Sequence, residues 1–413
     1  MRNLKIDPRR LWDEIHETGQ IGATAKGGVR RLTLSDEDRR VRDWFRARAE
    51  KLGCTVTVDG VGNMFAFKAG KNKDRLPIAM GSHLDTQPTG GKFDGILGVH
   101  AGIEVLQTLS DNEIVTDAPL LVINWTNEEG SRFSPAVMGS GAFVGAFSHQ
   151  DVLAKTDRDG VTFGAAIDAI GYRGDTPLGA HKMAAYFELH IEQGPYLEAE
   201  KKDVGVVTLV QGIRWFNGVS VGMDAHAGAT PMHRRHDALL AVARLADKLE
   251  AIALAHGPHA VATMGVVDVK EASINVVPGL VHFTIDLRDP SDSVLDAMEK
   301  EIRAALTEIG GRNGVTLTLD RFWQAAPLPF DPVCINAVRQ AAAKSGYTTR
   351  DCTSGASHDA AYMQTIVPSA MIFVPSKDGL SHNELEYSSL EDCGAGAQVL
   401  LDAVLLMDDA GRS

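Results

Sequence analysis

The residues in this sequence that could do chemistry fall in short polar clusters. The most concentrated is residues 81–98, GSHLDTQPTGGKFDGILG, which set His83, Asp85 and Asp94 among glycines directly behind the apolar run 77–80. A histidine two residues before one acid, with a second acid nine residues further on, suits a borderline divalent metal such as zinc. Similar clusters close two more apolar runs: 118–125 leads into Asn127-Glu128-Glu129-Gly130, and 184–189 into His190, Glu192 and Gln193. His382 stands alone near the C-terminus. Two ions held a few ångströms apart need a shared carboxylate and several nitrogen and oxygen ligands, types that His83, Asp94, Glu128, Glu129, His190 and His382 provide. Glu128-Glu129 is the most informative dipeptide, because carboxylates side by side behind a buried strand repel each other unless a cation or a proton intervenes. One glutamate can bind an ion while the other, its pKa raised, takes a proton from water. Asp85 reads as the carboxylate that orients the His83 ring. Taken singly, each residue also has a plain structural reading, a hydrogen-bonded core histidine or a solvated acidic loop.

The elements that must position these residues are legible. Residues 35–52 read as the first ordered helix, with Ser35 and Asp38 as a capping box and Gly53 as the stop. Residues 54–59 and 64–68 alternate as strands around the turn-forming DGVGN and should form a hairpin. A strand at 77–81, a helix at 95–109 and strands at 118–125 and 184–189 follow, an α/β succession whose ligand site lies beyond the strand carboxyl ends. From 213 to 323 the order becomes strand 213–223, helix 236–255, strand 260–269, strand 280–288, helix 294–309 and strand 315–322. This β-α-β-β-α-β order is the ferredoxin-like arrangement and predicts an inserted α+β domain. Helix 332–344, a turn at 353–359, strand 370–375 and helix 389–407 return to the first domain, because His382 and the 354–359 turn look like site material. The predicted fold is thus α/β: one domain, 1–212 and 324–413, with a central mixed sheet flanked by helices, plus an inserted α+β ferredoxin-like domain, 213–323.

Composition narrows the function. Acidic residues outnumber basic ones 54 to 41, which argues against nucleic acid and anionic membranes as partners and favours a small-molecule substrate. The N-terminal MRNLKIDPRRLWDE has no apolar segment behind its positive charge, and the helical stretch 238–255 is interrupted by Arg244, Asp247, Lys248 and Glu250. A cytoplasmic protein is expected. Cys54, Cys334, Cys352 and Cys393 lack Cys-x-x-Cys spacing and read as buried free thiols, Cys352 drawing interest only because it lies near the 354–359 turn.

Eight ordered motifs carry a resemblance: GSHLDTQPTGGKFDG, NEEGSRF, HIEQGP, DAHAGATPM, NVVPG, DLRDP, SGASHDA and PSKDGLSHNE. From about Ser35 to the C-terminus the chain resembles the M20-type amidohydrolases, in the hydantoinase/carbamoylase-type branch of N-carbamoyl-amino-acid amidohydrolases, β-ureidopropionases and allantoate amidohydrolases. The resemblance implies two divalent ions per subunit, zinc first, with manganese, cobalt or nickel possible. Asp94 would bridge them, with His83 and His190 completing one site, Glu129 and His382 the other, and Glu128 as general base. It further implies that Arg288 holds the substrate carboxylate, that Asn275 and Gln193 hydrogen-bond the substrate, and that Gly355 presents backbone beside it. The resemblance makes 1–212 and 324–413 the catalytic domain and 213–323 the lid and dimerisation domain, from which His226 would reach across a homodimer to stabilise the oxyanion. The implied reaction cleaves the ureido C–N bond of an N-carbamoyl-L-amino acid or N-carbamoyl-β-alanine to amino acid, carbon dioxide and ammonia, with lid closure excluding water. Rival readings are an allantoate amidohydrolase, a dinuclear aminopeptidase or aminoacylase, and a metal-bound protein without catalysis. His236 departs from the family pattern, and His358 carries no assigned role.

Overall fold

The structure is a computed structural model and describes residues 4–411. Two compact units divide the chain, one formed by residues up to Thr208 together with those from Phe330 onward, the other by Leu209–Pro329. The inserted unit is therefore wider at each end than the segment 213–323.

The first unit is built on a mixed sheet with the spatial order Thr55–Val58, Met64–Lys68, Leu120–Trp125, Ile78–His83, Ala185–Ile191, Ser369–Val374 and Val204–Val210. Its four central strands, Leu120–Trp125 to Ser369–Val374, run parallel, so their carboxyl ends share one edge. All four are buried along their whole length, as parallel strands covered on both faces must be. Helices Pro8–Thr18, Ile96–Asp111, Pro332–Ser345 and Leu390–Ala410 pack as a group, with Ile96–Asp111 and Leu390–Ala410 lying on the central strands. Gly396 permits that contact: a Cβ there would stand 2.5 Å from Val374 Cγ1 and 2.6 Å from Leu189 Cδ1.

Several expectations are corrected. Helix Pro8–Thr18 precedes the one expected first; its apolar residues Leu11, Trp12 and Ile15 stand among charged neighbours, and its start is fixed by Asp7 accepting from the N–H groups of Arg9 and Arg10, each at 3.0 Å. The capping box at Ser35 only half forms. Ser35 Oγ accepts from Asp38 N at 3.2 Å, but the Asp38 carboxylate turns away to Leu34 N (2.7 Å) and Arg42 Nε (2.8 Å). The turn expected over 353–359 is present at 355–358, its ends absorbed into strand Thr349–Ser354 and helix Asp359–Met363, and strand Val204–Val210 was not foreseen.

The second unit has the expected β-α-β-β-α-β order. Strands Val267–Val269, Leu280–Asp289, Gly212–Val221 and Thr316–Ala325 lie side by side, all antiparallel. The strand expected over 260–269 is broken around Gly265 into Val261–Thr263 and Val267–Val269, both paired to Leu280–Asp289. Helices Ala238–His256 and Asp292–Asn313 cover one face, closing a core that includes Phe216, Leu245, Phe283, Ile285, Met298 and Ile302. Period-two alternation leaves Trp215 and Asn217 on the other face, beside Asp286 and Arg288 of the neighbouring strand.

No helix among the described residues is long and apolar enough to cross a membrane. The four cysteines are buried free thiols, and burial pushes Cys352 up to about 11, which removes it as a nucleophile.

The Asp38–Arg42 pair reaches the polar cluster from below. Both side chains are buried, and the Arg42 guanidinium also donates to Gly62 O (2.7 Å) and to Thr126 Oγ1 (3.1 Å), directly before Asn127-Glu128-Glu129. Removing one partner leaves the other charge buried and unpaired, so Asp38→Ala is expected to cost about 3–5 kcal/mol in chemical denaturation. A variant as stable as the parent would show that the guanidinium is satisfied without its carboxylate.

Candidate metal centre at the strand carboxyl ends

Three of the four parallel strands end in a candidate ligand or lead straight into one. His83 is the last residue of Ile78–His83, Leu120–Trp125 leads into Glu128 and Glu129, and His190 is the penultimate residue of Ala185–Ile191. The fourth, Ser369–Val374, leads through residues 375–381 to His382. Asp94 arrives from the glycine-rich loop before helix Ile96–Asp111. Gly95, at φ 70°, lets that loop pass close to His83, since a Cβ there would fall 2.2 Å from the His83 Nε2.

The Asp94 carboxylate is the centre of the arrangement. Its Oδ1 lies 3.0 Å from His190 Nε2 and 3.9 Å from His83 Nε2, while its Oδ2 lies 3.5 Å from His382 Nε2. His382 Nε2 is in turn 3.5 Å from Glu129 Oε2. Two groups of ligand atoms, His83–Asp94–His190 and Asp94–Glu129–His382, therefore meet on opposite oxygens of one carboxylate, each with its atoms within 4.8 Å of one another. Ligand atoms around a tetrahedral ion with bonds of about 2.0 Å stand roughly 3.3 Å apart, so both groups have the right scale.

The imidazoles are prepared for this role. His83 Nδ1 faces Asp85 O at 2.9 Å and His190 Nδ1 faces Ile191 O at 2.9 Å. A carbonyl only accepts, so both rings carry hydrogen on Nδ1 and turn Nε2 toward Asp94, as a lone pair in neutral His83 and, in His190, with the proton that Asp94 favours and that a bound ion would displace. Both Nε2 atoms are buried without a hydrogen bond. A buried imidazole nitrogen without a hydrogen-bond partner is what a divalent cation binds, and the donor set fits one.

A third group, Glu188–His190–His358, has a similar spacing. It competes for the same His190 nitrogen, and the Glu188 oxygens already accept from Ser82 Oγ (2.6 Å) and Ala360 N (2.7 Å). The group around Asp94 is the better fit.

Electrostatics point the same way. Burial raises Glu128 well above the usual carboxylate range, helped by Asp359, Glu129, Asp94 and Asp85; burial likewise raises Glu129, helped by Asp94 and Asp85. Burial and Asp38 push Asp85 up to about 7. Burial opposes ionisation of Asp94 as well, but His190, His83 and His382 outweigh it and hold that carboxyl below its ordinary value. Burial lowers His83 to about 4, whereas His190, despite burial, is raised to about 9 by Asp94. Glu128 Oε2 stands 3.4 Å from His83 Nε2, at the edge of the first ligand group.

Two residues are placed differently from expectation. The Asp85 carboxylate does not take the His83 Nδ1 proton, which goes to the Asp85 main-chain carbonyl; the carboxylate, 3.7 Å from the ring, instead accepts from the N–H groups of Glu128 (3.3 Å) and Glu129 (3.4 Å). The turn of only two residues from His83 brings the carbonyl, not the side chain, to the ring. Gln193 donates through Nε2 to Asp94 Oδ2 at 2.9 Å, so its amide is engaged with the central carboxylate. Gly355 lies exposed in the turn between Thr349–Ser354 and Asp359–Met363.

The remaining candidates belong to the second unit. His226, exposed on the short strand Ala225–His226, accepts at Nδ1 from the N–H groups of Gly228 (3.0 Å) and Ala229 (3.1 Å), which leaves its hydrogen on Nε2 as a donor. Asn275 is brought next to it by the pairing of Val276 with His226 and of Ala227 N with Asn275 O (2.9 Å). Arg288 is held by Asp286, Nη2 to Oδ2 at 2.8 Å. His236 is structural, with Nδ1 on Gly314 O at 2.7 Å.

Sequence reasoning left His358 without a place and missed Ser381 and Glu386. His358 is buried with its ring 4.4 Å from that of His190 and its Nε2 unpartnered. Ser381 and Glu386 flank His382 in GLSHNELE, and no spacing rule distinguishes them from ordinary loop residues.

Comparison with known proteins agrees with this architecture. A model of the family described as Peptidase family M20/M25/M40 matches residues 79–406. The chain is 45% identical to an N-carbamoyl-L-amino-acid amidohydrolase of Rhizobium meliloti, over 98% of this chain and 97% of that protein. It is 33% identical to an allantoate amidohydrolase of Bacillus subtilis, over 95% and 96%. Among solved structures, an amidase of the hydantoinase/carbamoylase family from Burkholderia multivorans superposes with a TM-score of 0.93 at 49% identity, covering 98% of both chains.

The crowding of carboxyls makes a pH prediction. Asp85 (about 7), Glu386 (about 8), Glu128 and Glu129 all titrate higher when folded, and so does His190 (about 9). Groups raised by folding stabilise the fold below their ordinary pKa and lose that contribution as pH climbs through the folded value. The lowered His83 acts in the opposite sense only below its ordinary 6.5, and the lowered Asp94 only near and below its ordinary 3.8. Chelator-treated protein should therefore lose Tm steadily between about pH 6.5 and 8.5, and added divalent ions should flatten the slope. A flat calorimetric profile in chelator would contradict the crowding.

Proposed function

Because the chain belongs to peptidase family M20/M25/M40, in its hydantoinase/carbamoylase branch, we propose that it hydrolyses the ureido C–N bond of N-carbamoyl-L-amino acids, releasing the amino acid and carbamate, which decays to carbon dioxide and ammonia. The observation that carries the reading is the meeting of two ligand groups on opposite oxygens of Asp94. His83 and His190 would hold one ion, Glu129 and His382 the other, with Asp94 between them. What two such ions supply is polarisation of the ureido carbonyl and acidification of a water.

The protein groups do the rest. Glu128 is the carboxylate beside the ligand groups that neither of them uses, and its raised pKa suits a base that accepts a proton and gives it back. It takes the proton of the attacking water as the C–O bond forms, then delivers it to the departing amine as the C–N bond breaks. Asp85 holds the Glu128 and Glu129 main chain, so that the base and its neighbouring ligand keep their places. Gln193 acts first on Asp94 and turns toward substrate through its unpartnered Oε1. Arg288, exchanging Asp286 for the substrate carboxylate, Asn275 and His226 are assigned to substrate from the motifs in which they stand. The Nε2 hydrogen of His226 is the donor an oxyanion needs.

An allantoate amidohydrolase is the second reading, supported by the 33% identical relative. A panel of N-carbamoyl-L-amino acids, N-carbamoyl-β-alanine and allantoate, scored by ammonia release, separates the two; turnover of allantoate alone would reverse the order. In the same assay Glu128→Ala should lower kcat by roughly 10²–10⁴-fold with metal content unchanged. Arg288→Ala should raise KM for carboxylated substrates by roughly ten- to a hundredfold, as loss of a charged hydrogen-bonded contact predicts. Full activity in the first variant, or an unchanged KM in the second, would remove that residue from its role. The assembly is proposed as a homodimer joined through the second unit, and a monomeric mass in sedimentation equilibrium would count against it.

A further inference from the structure

The loop that carries Asp94 cannot fix itself. Residues 90–95, GGKFDG, include three glycines, and the central carboxylate sits at the end of this pliable stretch. Glu386 holds it. This side chain is only 5% exposed, and its Oε1 accepts from the main-chain N–H groups of Phe93 (3.0 Å) and Asp94 (3.1 Å). The loop is pressed so closely against the carboxylate that a Cβ at Gly91 would fall 2.1 Å from Glu386 Oε1. The other oxygen, Oε2, lies 3.1 Å from Ser381 Oγ, and that hydroxyl lies 2.8 Å from Asp94 Oδ2. Gln193 Nε2 completes the grip, 2.9 Å from Asp94 Oδ2 and 3.2 Å from Ser381 Oγ.

Asp94 is thus held twice, at its own main chain and at one carboxylate oxygen, by residues that bracket His382. Ser381 immediately precedes that histidine and Glu386 follows it by four positions. His382 is itself exposed and sits at φ 53°, so nothing in its own burial sets its distance from Asp94. We infer that Glu386 and Ser381 are positioning residues that lock the Asp94 loop to the His382 turn and thereby set the spacing of the second ligand group, Asp94–Glu129–His382. The inference rests on the dinuclear reading proposed above. It assigns Glu386 no contact with substrate or ion; its effect passes through Asp94 and His382.

The physical consequence is selective. Truncating Glu386 strands two buried N–H donors and frees the loop, while glutamine keeps an oxygen for those donors and an amide for Ser381. The test titrates chelator-treated full-length protein with zinc alone, reading stoichiometry by elemental analysis and affinity by competition with a chromophoric chelator. Glu386→Ala should bind its second zinc about 10–100-fold more weakly, the usual cost of losing a partner that orients a ligand. Glu386→Gln should stay within tenfold of wild type, and Ser381→Ala should weaken the same zinc with little change in Tm. Val404→Ala, a truncation in the buried core of helix Leu390–Ala410, should lower Tm and leave zinc affinity untouched. If Glu386→Ala does not fold, Ser381→Ala and Glu386→Gln still decide. Wild type that takes up two zinc ions, with Ser381→Ala and Glu386→Ala binding both as tightly, overturns this inference alone. So does a Val404→Ala variant that loses zinc as Glu386→Ala does. Wild type that takes up fewer than two ions overturns the dinuclear reading, and this inference falls with it.

Discussion

Unbalanced negative charge in a buried place is the constraint on which the first unit depends. Asp85, Asp94, Glu128, Glu129 and Glu386 gather at one edge of the sheet, all but Asp94 pushed toward their protonated forms; among the described residues no lysine or arginine forms an ion pair with any of them, and Arg42 and Arg31 act on Asp85 only at longer range. Burying carboxylates without partners is costly, and a fold keeps such a cluster where a cation or a shared proton offsets it. The nearest countercharges are imidazoles, two of them with their Nδ1 hydrogens committed to main-chain carbonyls. The site answers that cluster with rings that aim Nε2 inward, main-chain donors on the outer carboxylates, and one central carboxylate shared by two ligand groups.

The sheet makes this concentration possible. Parallel strands point their carboxyl ends to one edge, so residues distant in sequence arrive together without any long-range pairing of loops. The arrival has a cost in backbone strain. Asn127, Gln193 and His382, one behind each of three parallel strands, sit at φ 59°, 56° and 53°, conformations that cost on the order of 1–3 kcal/mol in residues other than glycine. Those three turns re-aim the chain immediately before or at a site residue. The buried Asp38–Arg42 pair beneath Thr126 and the Glu386 grip on the Asp94 loop are the packing that holds such turns in place.

The second unit obeys different rules. Its sheet is antiparallel, covered by two helices on one face only, and its strands alternate accordingly: Phe283, Ile285 and Leu287 inward, Thr284, Asp286 and Arg288 outward. An arginine on such a face keeps part of its side chain in water and pairs with a neighbour two residues away, as Arg288 does with Asp286. Partial exposure separates this pair from the fully buried Arg42, whose contacts with Asp38 and Gly62 O are shielded from water.

Read from the chain alone, the central parallel strands, the helices and strands of the inserted unit and the ligand types were determined by local physics. Apolar runs closed by polar clusters marked the parallel strands and their ends, and the β-α-β-β-α-β order marked the inserted unit, because period and burial are written residue by residue. The order of the central strands, which places Ile78–His83 between Leu120–Trp125 and Ala185–Ile191, was not legible, since pairing partners are chosen across the whole domain. Nor was the helix Pro8–Thr18, whose short apolar face of Leu11, Trp12 and Ile15 gains its meaning only from the surface it meets. Within the site, spacing named His83, Asp94, Glu128, Glu129, His190 and His382. Only the tertiary structure decided that Asp85 serves its neighbours' main chain, that Gln193 rests on Asp94, and that Ser381 and Glu386 govern the loop. Such roles are distances between side chains far apart in sequence, and a linear order holds no record of them.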